Sequence, residues 1–155
     1  MIHDTHIMIQ NMNDKPKSHL IIYISGGFLF LLDQILKYFA YSHQNFSLVW
    51  KKLFGWEFYA NKGIAFSLPF PNTVLLIFTP LIIFIIIAYY LKIKPENTRQ
   101  KFSLLLIILG AASNFIDRIM FGITIDYLRV LTGVINLADI MIVAGVLLLL
   151  NKKSR

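Results

Sequence analysis

Asp126 and Asp139 are the residues of this chain best suited to acid–base chemistry. Asp126 sits in the apolar run Gly122-Ile-Thr-Ile-Asp-Tyr-Leu, where an exposed loop would be more polar, and no basic neighbour accounts for it. Asp139 lies three residues after Asn136 at the head of an apolar stretch. That spacing also fits an N-cap with an acidic N3 residue, a variant of the capping box. Two aspartates brought together at a partly desolvated site share one proton, because the first charge disfavours the second ionisation. One carboxylate then takes a proton from water while the other, still protonated, polarises a scissile carbonyl. A helix N-terminus favours negative charge, so Asp139 is expected to be the resting base and Asp126 to carry the proton. The coupled pair titrates as a unit.

Six further polar residues accompany this pair. Asp33 and Lys37 are spaced i, i+4 with the acid first, the favourable order for an ion pair on a helix. They read first as structural support, with direct substrate contact as the alternative. Asn114, Asp117 and Arg118 lie close together near the end of another apolar run. The adjacent guanidinium is the expected counter-charge to Asp117, which suits an orienting role more than acid–base work. Asn61 and Gly63 precede a fourth apolar segment that carries no charge. Ionisable groups at bilayer depth are costly, at least ~2.5–3.5 kcal/mol each, and are functional suspects for that reason.

The elements that must hold these residues are membrane helices. The 155-residue chain is 57% hydrophobic and only 15% charged, with mean hydropathy +0.65, against roughly 45–50% and 25% in soluble domains. Four spans emerge: Leu20–Phe39, Thr73–Leu91, Phe102–Ile119 and a shorter Asn136–Leu150. The first three reach ~27–30 Å, enough for a hydrocarbon core of ~30 Å, and the last ~22 Å. Nine basic residues fall on one side of these spans and six on the other. The positive-inside rule then places both termini in the cytoplasm. In that topology all the polar residues named above converge one or two turns beneath the outer surface.

The fold expected is therefore an all-α membrane protein of four transmembrane helices, N-in and C-in. A small β-containing outer segment joins the first two helices, and Ile123–Val130 alternates loosely. Residues 1–19 read as a disordered cytoplasmic tail without periodicity, residues 20–151 as a single membrane domain, and 152–155 as a basic cytoplasmic tail. Met8 and Met12 are alternative starts. The first span carries Asp33, Gln34 and Lys37, unlike the plain apolar stretch of a cleaved signal peptide. Trp50, Phe54, Trp56, Phe58 and Tyr59 suit a membrane interface and are expected to lie over the site as a lid.

The absence of cysteine excludes disulfides, thiol catalysis and cysteine metal sites. His3, His6 and His19 fall in the tail and read as surface histidines, so no metal site is expected. The net charge of +7 comes from basic clusters flanking apolar runs, a placement explained by topology and anionic headgroups rather than nucleic acid.

Five motifs, in order, resemble those of the lipoprotein signal peptidases (signal peptidase II), bacterial intramembrane aspartyl proteases. They are Asp33-Gln34-Ile-Leu-Lys37; Asn61-Lys-Gly63-Ile-Ala65-Phe66-Ser67; Gly110-Ala-Ala-Ser-Asn114-Phe-Ile-Asp117-Arg118; Ile125-Asp126-Tyr127; and Asn136-Leu137-Ala138-Asp139. The resemblance covers residues 20–150. It implies that Asp126 and Asp139 are the catalytic dyad and that Asn61, Gly63, Asn114, Arg118 and Asn136 shape or contact the substrate pocket. Asp33, Lys37 and Asp117 would then support them. It further implies a diacylglyceryl-modified prolipoprotein as substrate, cut on the N-terminal side of the lipidated cysteine. No metal or organic cofactor is implied, globomycin is the implied inhibitor, and the implied location is the bacterial inner membrane, with the site facing outward. Ile135 and Tyr127 depart from the commoner Phe at their positions, and the N-terminal tail is long for the family.

A small proton-coupled carrier is the rival reading, using the buried carboxylates as a relay. The polar residues occupy only the outer half of the spans, and no broken helices or repeats are evident.

Overall fold

In a computed structural model, residues 2–64, 70–94 and 97–151 are described, and they form four helices and one four-stranded sheet. The helices are α1 (Ile2–Ser42), α2 (Asn72–Lys92), α3 (Thr98–Phe121) and α4 (Leu137–Leu150). The strands are β1 (Ser47–Trp50), β2 (Phe54–Asn61), β3 (Thr124–Val130) and β4 (Gly133–Ile135). Leu20–Ser42, Asn72–Lys92 and Thr98–Phe121 are long and apolar enough to cross a membrane, whereas α4, at 14 residues, is shorter. Helix α2 is apolar on all sides and has no buried residue, the pattern of a helix whose surroundings are lipid.

Helix α1 is assigned from Ile2. One expectation changes: the sheet is not confined to the segment between the first two helices. It runs β1-β2-β3-β4, antiparallel throughout, and takes its second half from the segment between α3 and α4.

The central pairing, β2 with β3, sets Tyr59 opposite Asp126 and Asn61 opposite Thr124, with a register shift between Trp56 and Tyr59. Along β3 the side chains alternate between faces. Ile125 and Tyr127 pack with Ala40 as a buried cluster, flanked by Leu36 and Trp56, which leaves Thr124 and Asp126 for the other face. The chain enters β3 from α3 through Gly122, held in the left-handed region at φ 72° with its N–H on the Arg118 carbonyl. Glycine meets that conformation without a side-chain clash.

Helices α3 and α4 approach closely through glycine. A Cβ at Gly145 would lie 2.6 Å from the Ser103 carbonyl oxygen and 2.7 Å from Ile107 Cγ1. Small residues at such contacts let helix backbones pack tightly in a membrane. Gly145→Leu is expected to cost about 1–3 kcal/mol by overpacking, lowering Tm in detergent by roughly 3–10 °C. An unchanged melting curve would mean the two helices separate at no cost.

Candidate active site

The site grows from the head of α4. Asn136 caps that helix: its Oδ1 accepts from Asp139 N–H at 2.8 Å, and its own N–H donates to Asp139 Oδ2 at 3.4 Å. The capping-box reading of these two residues therefore holds, and it does more than end a helix. With Oδ1 committed to the helix, Asn136 Nδ2 points outward and donates to Asp126 Oδ1 at 2.7 Å. Asn61 makes the mirror arrangement from β2. Its Oδ1 accepts from Gly63 N–H at 2.9 Å, which turns its Nδ2 toward Asp126 Oδ2, also at 2.9 Å. Asp126 and Asp139, thirteen positions apart on different elements, thus share one asparagine.

Both Asp126 oxygens receive amide N–H groups, which favours the carboxylate. Burial opposes this and outweighs it; with the nearby charge of Asp139, it pushes the Asp126 carboxyl up to about 7. Asp126 is 1% exposed, so desolvation is the larger cause.

Beneath the pair lies a second buried cluster around Lys37. Its Nζ contacts Asp33 Oδ2 at 3.0 Å, Asp117 Oδ2 at 2.9 Å, Ser113 Oγ at 3.1 Å and Asn114 Oδ1 at 2.8 Å. The i, i+4 ion pair of Asp33 and Lys37 is present. Asp117, however, takes Lys37 as its cation. Arg118 instead donates from Nη2 to the Gly63 carbonyl at 2.7 Å. Adjacent helical residues point about 100° apart, so sequence neighbours on α3 face different partners.

Asn114 links the two layers. It accepts from Lys37 at Oδ1 and donates from Nδ2 to Asp139 Oδ1 at 2.8 Å. Asp33 is a hub of the lower layer, accepting from Ser113 Oγ at 2.5 Å, Tyr127 Oη at 2.9 Å and Ala138 N–H at 3.1 Å. Asp117 accepts from Ile125 N–H at 3.1 Å, tying α3 to β3. The Tyr127 phenol is raised above its usual range by burial and by the neighbouring charge of Asp33. It therefore remains a donor to that carboxylate.

All ten residues singled out in the sequence belong to this connected network. Three others join them, quoted in the sequence only as motif members without a role: Gln34, Ser113 and Tyr127. Gln34 Nε2 donates to Ser113 Oγ at 2.7 Å. Ser113 had a readable signal, being a small polar residue one turn before Asp117 on an apolar helix.

A cavity of about 740 Å³ opens beside the upper layer. Asn61, Asn114, Arg118, Thr124 and Asp139 supply its polar wall, and Leu75, Ile142, Val143 and Leu147 part of its apolar wall. Asp126 stands one hydrogen bond behind that wall, through Asn61. Arg118 Nη1 and Thr124 Oγ1 are buried and have no hydrogen-bond partner among the described residues. The aromatic residues of the outer segment do not line the cavity, contrary to the lid reading; Trp56 stacks obliquely on Tyr127, inside the protein, 4.9 Å between centroids. Within the described residues no cluster of three or more metal-ligating side chains occurs.

Residues 26–153 match the family described as signal peptidase (SPase) II. The chain belongs to the signal peptidase II family. It is similar to the lipoprotein signal peptidase of Moorella thermoacetica (37% identical over 123 residues, 76% of this chain and 82% of that one). It also resembles that of Halothermothrix orenii (34% identical, covering 84% and 92%). A solved structure described as a bacterial membrane enzyme superposes with a TM-score of 0.76, covering 87% of this chain and 93% of the other at 24% identity. That superposition shows a shared fold. Signal peptidase II enzymes are aspartic peptidases, so membership makes this chain a membrane peptidase and accounts for carboxylates in so apolar a molecule.

Proposed function

We propose that this protein removes the signal peptide from diacylglyceryl-modified prolipoproteins, cleaving on the N-terminal side of the lipidated cysteine, with Asp126 and Asp139 as the catalytic dyad. One observation carries the assignment: two carboxylates from β3 and α4 share Asn136, with Asp139 on the wall of a cavity and Asp126 directly behind it, in a chain of the signal peptidase II family.

In the mechanism, Asp139 takes a proton from a water as its oxygen attacks the scissile carbonyl carbon. Asp126 gives its proton to the carbonyl oxygen, forming a neutral gem-diol. Collapse re-forms the carbonyl and breaks the C–N bond; the cysteine amine leaves with the proton held by Asp139, and Asp126 recovers its own. Asn61 and Asn136 hold Asp126, and Asn114 holds Asp139. The free donor of Arg118 and the Thr124 hydroxyl suit the backbone of an entering peptide.

The chain spans the bacterial inner membrane four times in this reading, N-in and C-in. Helix α4, about 21 Å long, starts at Asn136 within the polar layer, so it need cover only the remaining depth. The apolar part of the cavity wall follows α4 from Ile140 to Leu147, which suits a substrate whose lipid chains stay in the bilayer. Membrane lipids and globomycin are the other expected ligands. A carrier is not favoured, because the polar network ends with the outer turns of α3.

Purified protein is expected to release signal peptide from the lipidated precursor and to leave the unlipidated one uncut; equal cleavage of both would sink the lipid requirement. A pH profile gives a separate check. The Asp126 proton persists to about 7, so kcat/KM should fall about tenfold per unit above that pH, and protonation of the Asp139 base closes the profile on the acid side. A profile flat to pH 9 would remove Asp126 as the proton carrier.

A further inference from the structure

The end of the sheet remote from the dyad has features that the peptidase chemistry does not use. Strands β1 and β2 are joined by a turn closed by a hydrogen bond from Leu53 N–H to the Trp50 carbonyl, 3.0 Å. Lys51 and Lys52 form its centre at φ 49° and 61°, both in the left-handed region. Hairpins fill such positions with Asn-Gly or similar pairs, because a side chain there is strained. Two lysines are thus held where backbone preference argues against them. Lys51 Nζ lies 4.7 Å above the Trp50 ring. Among the described residues neither lysine forms an ion pair.

Around them the surface is apolar. Leu48, Trp50, Leu53 and Phe54 are all exposed, Trp50 by 65%. The neighbouring β3–β4 turn contributes exposed Leu131, also at positive φ, whose N–H bonds the Leu53 carbonyl at 2.6 Å. The two tips therefore form one unit. Leu131, Thr132 and Gly133 also line the cavity, so that unit borders the mouth of the site.

We infer that the joined hairpin tips are a membrane-surface anchor, with Trp50, Leu53 and Leu131 seated at the acyl-chain boundary and Lys51 and Lys52 on the phosphates of anionic phospholipids. Indole rings favour the headgroup level, and lysines near an anionic surface add electrostatic attraction. The anchor sets the cavity mouth at the depth where a lipid-tethered substrate arrives. The inference rests on the membrane placement proposed above.

The chain contains only two tryptophans, so Trp56→Phe leaves Trp50 as the sole reporter. The full chain is reconstituted in phosphatidylcholine vesicles with and without phosphatidylglycerol, their acyl chains brominated. Trp50 emission is expected to be quenched by the bromolipid and shielded from aqueous acrylamide. Replacing the turn with Lys51→Asn plus Lys52→Gly relieves the backbone and keeps the fold. It should nevertheless cut quenching about twofold in phosphatidylglycerol vesicles, with a smaller change in phosphatidylcholine alone. Strong acrylamide quenching without bromolipid quenching overturns the anchor. Shielding from both quenchers means a protein covers the tip, a second copy or a partner, and overturns it too. Equal loss in both vesicle types overturns the recognition of anionic lipid. If Trp56→Phe does not fold, the difference between wild type and Trp50→Phe gives the same reading. No substrate is used, so failure here is separable from failure of the peptidase assignment.

Discussion

Lys37→Met is expected to lower stability by about 3–5 kcal/mol, the range for breaking a buried ion pair from one side. Asp33 and Asp117 are 0% and 2% exposed, and Lys37 is the only cation in contact with either among the described residues. Methionine fills much of the same volume, so the loss is electrostatic rather than a cavity. Two buried carboxylates would then be left without the cation they share. For a chain of this size the change corresponds to roughly 6–20 °C in Tm. Adding Asp117→Asn to Lys37→Met removes one of the stranded charges and should restore part of the loss. A Lys37→Met protein melting within about 2 °C of wild type would refute the account of the lower layer. Activity should fall as well, since Lys37 holds Asn114 and Asn114 holds Asp139.

The second large effect is chemical. Asp126→Asn and Asp139→Asn are each expected to reduce cleavage by at least about 10²–10⁴-fold, the contribution of a positioned acid or base. The replacement is close in shape but not silent in the network. Asn61 and Asn136 both present N–H to Asp126, and neither can turn over without losing its bond to Gly63 or Asp139. An amide at position 126 would oppose one of its –NH₂ hydrogens to a donor. One unmade buried hydrogen bond costs about 1–3 kcal/mol, a loss visible in Tm but too small to unfold the chain. A folded variant without activity is therefore the expected combination.

The sequence disclosed most of the site and less of the scaffold. Asp33 with Lys37, and Asn136 with Asp139, were readable because their partners lie one helical turn away, and local spacing alone defines the contact. The partner of Asp117 was not readable in that way. Its sequence neighbour Arg118 looked the obvious choice, but helical geometry turned Arg118 toward Gly63 and left Asp117 to a lysine eighty positions distant on another helix. Pairing of β2 with β3 is equally non-local, and the register shift between Trp56 and Tyr59 has no signature in composition. Alternation in Ile123–Val130 hinted at a strand without disclosing that it would close a sheet begun before α2. Trp56 shows the same limit: aromatic character suggested an interfacial lid, whereas the β3 partner draws the ring inward against Tyr127. Motif order mattered most where geometry was silent, since nothing in local spacing brings Asp126 and Asp139 onto one asparagine.

Single-turnover cleavage of a diacylglyceryl-modified precursor by wild type, Asp126→Asn and Asp139→Asn, with melting curves taken on the same preparations, tests the central claim most directly. The expected result is a new N-terminus at the lipidated cysteine for wild type and none for either folded variant. Cleavage at near wild-type rate by either variant would contradict the assignment of Asp126 and Asp139 as the dyad.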